Sequence, residues 1–505
     1  MPRRTAGAFP LLVTLDTDAD VPLTQQLYEG VRKLILNGHA LAGIRLPSTR
    51  VLSAELRVSR NTVVNAFERL AAEGYIEAKA GGGTRVSRTL PDTMAHAAVA
   101  ARRQPAGPVT RRPSHRGAAI AGIRTRRWSD RLGEVRPFRL GVGALSEFPV
   151  KTWARLSRRR LAHIGAANID YDEIAGYTPL RQAIAAYLRS ARGVVCDPSQ
   201  VIIVNGSQQA LDLASRVLLD PDDAVWFENP GYDGARGAFL AAGARLVHVP
   251  VDDHGLDVVA GIERAPAARL AYVTPSHQFP LGVTMTLARR RELLQWAARS
   301  GAWIFEDDYD SEFRYTHRPL PAMQGLDTND CVIYSGSFSK VLFPALRLGY
   351  LVVPSTILDT FLRVRFLTDV HPSTMTQAVL ADFIAEGHFE RHLRRMRLLY
   401  AERQDALVRS ARHHLAGLLT VEPSEGGMHL VGHLPAGVDD REASRAARAN
   451  GIVVAPLSFF SEGRQHRNAL LLGYAGLTAG QIAAGTKRLA TTLRPLALRA
   501  NGTHR

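Results

Sequence analysis

The sequence predicts two folded parts of different class, a small N-terminal winged helix-turn-helix and a larger α/β domain built on a mainly parallel sheet. Three observations carry this. Residues 22–87 hold three helical segments followed by a short strand, a glycine turn and a return strand. From about residue 136, apolar runs alternate with amphipathic segments, the pattern of strands joined by helical crossovers. Between them, residues 88–134 carry ten Lys/Arg against three Asp/Glu and few large apolar residues.

A chain of 505 residues exceeds what one hydrophobic core organises, so more than one domain is expected. We divide it into an N-terminal domain over 1–87, a flexible basic linker over 88–135 and a C-terminal domain over 136–505. The linker accounts for much of the net charge of +16 and suits either a solvated tether or one that leans on a polyanion. Only Cys196 and Cys331 are present, far apart, which argues against a disulfide framework and fits a reducing cytoplasm. The start, MPRRTAGAFPLLVTLDTDAD, has too short an apolar run for a signal peptide, and no segment is apolar enough to span a bilayer, so no membrane partner is expected.

In the N-terminal part, Leu23, Leu27, Val31, Leu34 and Ile35 recur at helical spacing, and Gly38 follows as a stop. Ser48 is placed to cap a second short helix and Ser59 a third, with a tight turn at Arg57 and Val58. Val63, Phe67 and Leu70 mark the buried face of the third helix. Arg60, Asn61, Thr62 and Asn65 are left outward near its N-terminus, where a recognition helix meets base edges and phosphates. Gly74 ends it, YIEA reads as a strand, and GGGTRVS supplies a turn and a return strand. A phosphate loop would lead into a helix, whereas this glycine run leads into TRVSRTLPD, so it reads as the tip of a wing.

In the C-terminal part five strands end on polar groups. QVIIVNGSQQALDLASRVLL gives a strand, a turn and a helix whose N-terminus can seat a phosphate. AVWFENPGY ends near Tyr232, RLAYVTPSHQFPLG in a Pro/Gly loop, GAWIFEDDYD on Asp307 and Tyr309, and CVIYSGSFSK on Lys340. Ligands bind at the carboxyl ends of strands in such sheets, so these groups are expected to form one site. A lysine for a Schiff base, an acid for a pyridine nitrogen, and hydroxyls with a cation for a phosphate together suit pyridoxal 5′-phosphate. Ser207, Ser337 and Ser339 supply the hydroxyls for the phosphate, and Arg347 the cation. Asp307, Asp308 and Asp310 around magnesium, or His388 and His392 around another metal, fit less well, because neither set has a complete ligand pattern.

LPSTRVLSAELRVSRNTVVNAFERLAAEGYIEAKAGGGTRV resembles the GntR family of winged-helix regulators over its whole length. That resemblance implies DNA contacts at Arg45, Ser48, Arg50, Ser59, Arg60, Thr62, Gly83, Thr84 and Arg85. YDEIAGYTPLRQAIAAYL, ENPGY, TPSHQFPLG, EDDYDSEFRY, GSFSK and GHFERHLRRMRLLY resemble a fold type I aminotransferase with large and small subdomains. The two halves together resemble the MocR/GabR family of regulators, including regulators of vitamin B6 synthesis. The resemblance implies Lys340 as the Schiff-base lysine, Asp307 at the pyridine nitrogen, Tyr309 at the ring hydroxyl and Tyr232 as the stacking ring. It places Ser207, Gln208, His277, Ser337, Ser339 and Arg347 around the cofactor, with Tyr171 reaching the other subunit of a homodimer.

Two departures stand out. The loop that in aminotransferases reads Asn-Pro-x-Gly is here Phe279-Pro280-Leu281-Gly282, so the asparagine's bond to the ring falls to Gln278 or His277. Leu471 stands where an arginine for the substrate carboxylate is expected, leaving Arg464 or Arg467 as substitutes. Two readings follow. One is a regulator that binds operator DNA and uses pyridoxal phosphate to sense that cofactor, an amino acid or an amine; the other is a working aminotransferase with an appended DNA-binding domain.

Overall fold

The computed structural model describes residues 11–17, 19–79, 83–89, 111–123, 136–163, 165, 170–315, 321–463 and 468–502. The chain divides into two compact units, Met1–Arg112 and Pro113–Arg505.

In the first unit, α1 (Leu23–Leu36) buries Leu27, Tyr28, Val31 and Ile35 against α3 (Arg60–Ala72), which contributes Val63, Ala66, Phe67 and Leu70. Tyr28 rather than Leu34 completes the buried stripe of α1, and its hydroxyl reaches Glu73 beyond the end of α3. Between them, α2 (Thr49–Leu56) starts at Ser48, whose Oγ accepts from Val51 N, and ends at Arg57 in the left-handed region at φ 55°. That turn aims α3, capped in the same way by Ser59. Strands β1 (Ile76–Lys79) and β2 (Gly83–Val86) pair antiparallel with Ile76 opposite Val86 and Lys79 opposite Gly83.

The second unit holds an eight-stranded sheet of β3 (Val201–Val204), β4 (Ala224–Asn229), β5 (Arg245–Asp252), β6 (Gly255–Leu256), β7 (Leu270–Val273), β8 (Trp303–Asp308), β9 (Val332–Ser337) and β10 (Gly349–Val352), in the order β3-β10-β9-β8-β7-β4-β5-β6. Strands β5, β4, β7, β8 and β9 are mutually parallel. Strand β10 runs antiparallel to both β9 and β3, so β3 points the same way as β9. All five strands expected to deliver a functional group therefore end at one edge. These strands are buried along nearly their whole length, as expected for a sheet covered on both faces. One cover includes helices Ser207–Leu218, Asp233–Ala242 and Leu358–Asp369, and Trp226 of β4 stacks on Trp296 of helix Leu287–Ser300 at 3.7 Å between ring centres.

A second, antiparallel sheet consists of β11 (Thr420–Val421), β12 (His429–His433), β13 (Ala455–Pro456) and β14 (Ala469–Gly473), in the order β11-β12-β14-β13. It corresponds to a small subdomain, with helices Asp440–Ala449 and Ala479–Gly502 beside it. Within the stretch expected to be an unstructured linker, residues His115–Ala121 form a helix capped by Ser114. Arg116 Nη2 of this helix donates to Ala241 O at 3.2 Å. Cys196 and Cys331 are buried free thiols. No helix among the described residues is long and apolar enough to cross a membrane.

Candidate functional site

Lys340 lies in the one-turn helix Phe338–Val341 just past β9, and Ser337 caps that turn by accepting from Ser339 N at 3.2 Å. Its Nζ donates to Gly141 O at 3.2 Å. Gly141 sits at φ +73°, and a Cβ there would lie 2.4 Å from Nζ, so the close passage of this loop over the lysine requires glycine.

Beside it, the turn after β3 opens helix Ser207–Leu218 through Gly206 at φ +98°. Arg347 Nη2 donates to Asn205 O at 2.6 Å, and a Cβ on Gly206 would lie 3.4 Å from the guanidinium. The free N–H groups of the helix start, the hydroxyls of Ser207, Ser337 and Ser339, and Arg347 make a set suited to a phosphate. Ser339 Oγ is buried with no hydrogen-bond partner among the described residues. Gln208, expected in this set, is exposed and turns its amide to Gly234 O at 2.9 Å.

Asp307 is the last but one residue of β8 and is 4% exposed. Tyr272 donates to its Oδ2 at 2.8 Å, while Oδ1 has no partner among the described residues. Burial pushes its carboxyl up to about 7 in the protein by itself, with the neighbouring Asp308 and Asp310 adding to the rise. A protonated ring nitrogen would supply both the missing hydrogen bond and the missing positive charge. The donor set thus fits pyridoxal phosphate at each of its ends.

Tyr309 follows β8, and its hydroxyl lies 3.0 Å from His277 Nδ1. That nitrogen is also 3.1 Å from Asp310 Oδ2. Gln278 is committed elsewhere: its Nε2 donates to Pro230 O at 2.8 Å and Phe279 O at 2.7 Å, and its Oε1 accepts from Leu281 N at 3.0 Å. Of the two side chains considered for the absent asparagine, only His277 belongs to the Tyr309 cluster. Tyr232 precedes helix Asp233–Ala242 and meets Phe279 edge-on at 5.7 Å. Phe279 in turn lies 5.7 Å from His429 and 6.1 Å from Tyr309. Burial lowers the His429 imidazole to about 4, so it is neutral at ordinary pH.

Leu471 is fully buried on β14, opposite Val431 and Ala455, in an apolar cluster with Leu457, Phe460 and Ala469. Leu140, adjacent to Gly141, and Phe279 pack on the same cluster. Arg464 and Arg467 lie outside the described residues. Tyr171 is 82% exposed and touches His371 edge-on, pointing away from the interior of its own protomer.

Sequence reading missed Tyr272, Asp310 as a partner of His277, and His429. Tyr272 looked like one more core aromatic of β7, and its only signal was a polar tip in a buried strand. His429 lies in a stretch, GGMHL, that matched no expected motif.

In the N-terminal unit, the Ser59 hydroxyl accepts from Thr62 N at 3.1 Å and lies 2.8 Å from Thr62 Oγ1, so both side chains are engaged at the helix start. Arg50 and Arg60 are exposed. The backbones of Arg45 and Arg85 pair, Arg85 Nη1 donates to Gly43 O at 3.0 Å, and the Arg45 guanidinium lies against Gly83. Two guanidinium groups are thereby brought to the wing with Gly83 and Thr84. Residues 80–82, at the expected wing tip, lie outside the described residues.

Comparison with known proteins agrees with both halves. Residues 23–86 match the bacterial regulatory proteins of the gntR family, and residues 136–489 match aminotransferase class I and II. The chain is 45% identical to the probable rhizopine catabolism regulatory protein MocR of Rhizobium meliloti, over 97% of each chain. It is 30% identical to the pyridoxine biosynthesis transcriptional regulator PdxR of Corynebacterium glutamicum, covering 92% of this chain and 94% of that one. Among solved structures, α-aminoadipate aminotransferase LysN of Thermus thermophilus, complexed with N-(5′-phosphopyridoxyl)-L-leucine, aligns with TM-score 0.66 and 32% identity over 72% of this chain and 92% of its own. Kynurenine aminotransferase of Pyrococcus horikoshii aligns with TM-score 0.67 and 28% identity over 77% and 95%.

Proposed function

Because the chain belongs to the MocR/GabR family of transcriptional regulators, a GntR-type winged helix-turn-helix followed by an aminotransferase class I and II domain, we propose that it binds pyridoxal 5′-phosphate at Lys340 and uses it to sense an amine or amino acid. The observation that carries the reading is the pair of buried, unpartnered atoms Asp307 Oδ1 and Ser339 Oγ, one suited to each end of that cofactor. When bound, pyridoxal phosphate supplies an aldehyde that captures amines, attached to an electron-poor ring.

The chain's own residues do the rest. The start of helix Ser207–Leu218 with Ser337, Ser339 and Arg347 holds the phosphate. Asp307 would accept the hydrogen of the ring nitrogen, Tyr309 would donate to the ring oxygen, Tyr232 would cover a face, and Lys340 would provide the amine. DNA recognition belongs to residues 1–87, through Arg45, Arg50, Arg60 and the wing residues Gly83, Thr84 and Arg85, with 88–135 as the tether. We place the regulator as a homodimer in the cytoplasm, since the ring of exposed Tyr171 meets only His371 among the described residues, and a two-fold dimer presents two recognition helices to paired half-sites.

The relatives' names point to different signals, rhizopine catabolism for one and pyridoxine biosynthesis for another. Both kinds of signal can act at a site where the cofactor and an amine meet. The test is the absorbance of purified protein supplied with pyridoxal phosphate. After borohydride reduction and removal of unbound cofactor, wild type should keep a covalently attached chromophore and Lys340→Ala none, at an unchanged melting temperature; equal covalent labelling of the two would move the attachment to another lysine.

A further inference from the structure

We infer that His277 and Asp310 are positioning residues that fix the direction of the Tyr309 hydroxyl, an inference that rests on the cofactor reading above. His277 Nδ1 faces two groups at once, Asp310 Oδ2 at 3.1 Å and Tyr309 Oη at 3.0 Å. An ionised carboxylate only accepts, so the Nδ1 position carries the hydrogen, in the neutral ring and in the imidazolium alike. The alternative tautomer would set a lone pair against a carboxylate inside the protein. The His277 and Asp310 side chains are 7% and 1% exposed, where such a mismatch has no water to relieve it.

With its hydrogen shared toward Tyr309 Oη, Nδ1 makes that oxygen an acceptor. The phenol therefore does not spend its own O–H on His277 and aims it elsewhere. The remaining charged or titratable groups around the imidazole are His429, 5.7 Å away ring to ring, and Arg192, Arg314 and Glu425, which line the adjoining cavity with Asp310. Arg192 is paired with Asp308 and Arg314 with Glu425. Among the described residues, Asp310 is the one acid within hydrogen-bond distance of the ring. Gly427, at φ +89°, and Gly282, at φ +79°, let the backbone pass against the other edge of the imidazole, where a Cβ on Gly427 would lie 2.1 Å from Cε1. The histidine is thus wedged as well as bonded.

A donor held on the ring oxygen favours the anionic oxygen, and so lowers the pH at which the bound chromophore changes colour. Losing one hydrogen bond to a charged group should raise that midpoint by about one pH unit. The experiment is a spectrophotometric pH titration of the cofactor-loaded full chain as wild type, His277→Phe, Tyr309→Phe and the double variant. Both single variants should raise the midpoint, and His277→Phe should add nothing in the Tyr309→Phe background. His277→Asn, whose Nδ2 can donate from nearly the same place, should restore the wild-type midpoint, whereas Asp310→Asn, whose amide can donate as well as accept and so no longer fixes the tautomer, should shift the midpoint and shift it less in the Tyr309→Phe background. Additive shifts would overturn the inference, because His277 would then act on the ring without Tyr309. A shift in His277→Phe that His277→Asn fails to reverse would overturn it as well. A wild-type protein without visible absorbance would instead sink the cofactor reading, and the inference with it.

Discussion

Tyr272 and Asp307 form a buried pair in which the phenol donates to one carboxylate oxygen at 2.8 Å and leaves the other unpartnered among the described residues. The arrangement orients a carboxyl group for a single incoming donor. It also costs stability whenever the carboxyl must ionise without one. In the cofactor-free protein the native carboxyl holds its proton up to about 7, whereas an unfolded Asp loses it near pH ~4.

That difference fixes a sign. Between those two values the native state binds more protons than the unfolded chain, so stability is fully present below the window and falls as pH rises through it. Glu228, also raised to about 7 by burial, acts in the same direction. Buried His429, held neutral down to about 4, acts the other way in wild type and variant alike, so the Asp307 contribution is read as a difference: from pH ~4 to pH ~7 the melting temperature of cofactor-free wild type should fall relative to that of Asp307→Asn. A variant with the wild-type slope would mean that Asp307 ionises freely in the fold.

Arg347 is the one described guanidinium set against Gly206 at the start of helix Ser207–Leu218. Removing a hydrogen bond to a charged group costs about 1.5–3 kcal/mol, so Arg347→Ala should weaken pyridoxal phosphate binding by roughly 10- to 100-fold. Pyridoxal without its phosphate should bind wild type and variant alike. Equal losses for both ligands would show that Arg347 supports the fold and not the phosphate.

Arg60 opens the recognition helix and is exposed beside the Ser59–Thr62 cap. Arg60→Ala should weaken binding to a selected operator more than binding to random duplex. Each phosphate contact retained contributes about −0.9 to the slope of log K against log salt. Matching losses on both DNAs would make Arg60 a backbone contact without a role in specificity.

We propose that the domain senses its ligand without efficient turnover, because Leu471 stands where an aminotransferase carries its carboxylate arginine. Leu471 is buried among Val431, Ala455 and Leu457, which offer a carboxylate neither charge nor donors. An amino acid and a second keto acid supplied to the loaded protein should give no multiple-turnover product, whereas cycling at about 1 per second or faster would make it an ordinary transaminase. Because an arginine there would be buried in the same cluster, Leu471→Arg should lower the melting temperature sharply.

Much of this architecture was legible because strand ends carry chemistry in a fixed order along the chain. Ser207, Tyr232, Asp307 and Lys340 each follow an apolar run, and the direction of β3, β4, β8 and β9 brings them to one edge. The helix caps Ser48 and Ser59 were legible for a local reason, since a cap needs only its own next turn. What stayed hidden depends on contacts between distant elements. Tyr272 reaches Asp307 across adjacent strands, His429 comes from the second sheet, and Gln278 is taken up by the backbone of its own loop and of Pro230. The helix His115–Ala121 is short and Ala/Gly-containing, so composition alone made it look like tether.

In a regulator of this design, ligand chemistry at Lys340 should be coupled to DNA binding. The most direct measurement is the anisotropy of a labelled duplex, selected by the protein from a random pool, titrated with full-length protein at fixed salt. Wild type and Lys340→Ala are compared without cofactor, with pyridoxal phosphate, and with pyridoxal phosphate plus a panel of amines and amino acids. The account predicts that the wild-type affinity changes on loading with cofactor or with cofactor and one of the amines, while Lys340→Ala binds the same DNA with one unchanging affinity. Superimposable curves for wild type in all three conditions, from protein shown by its colour to carry the cofactor, would contradict it.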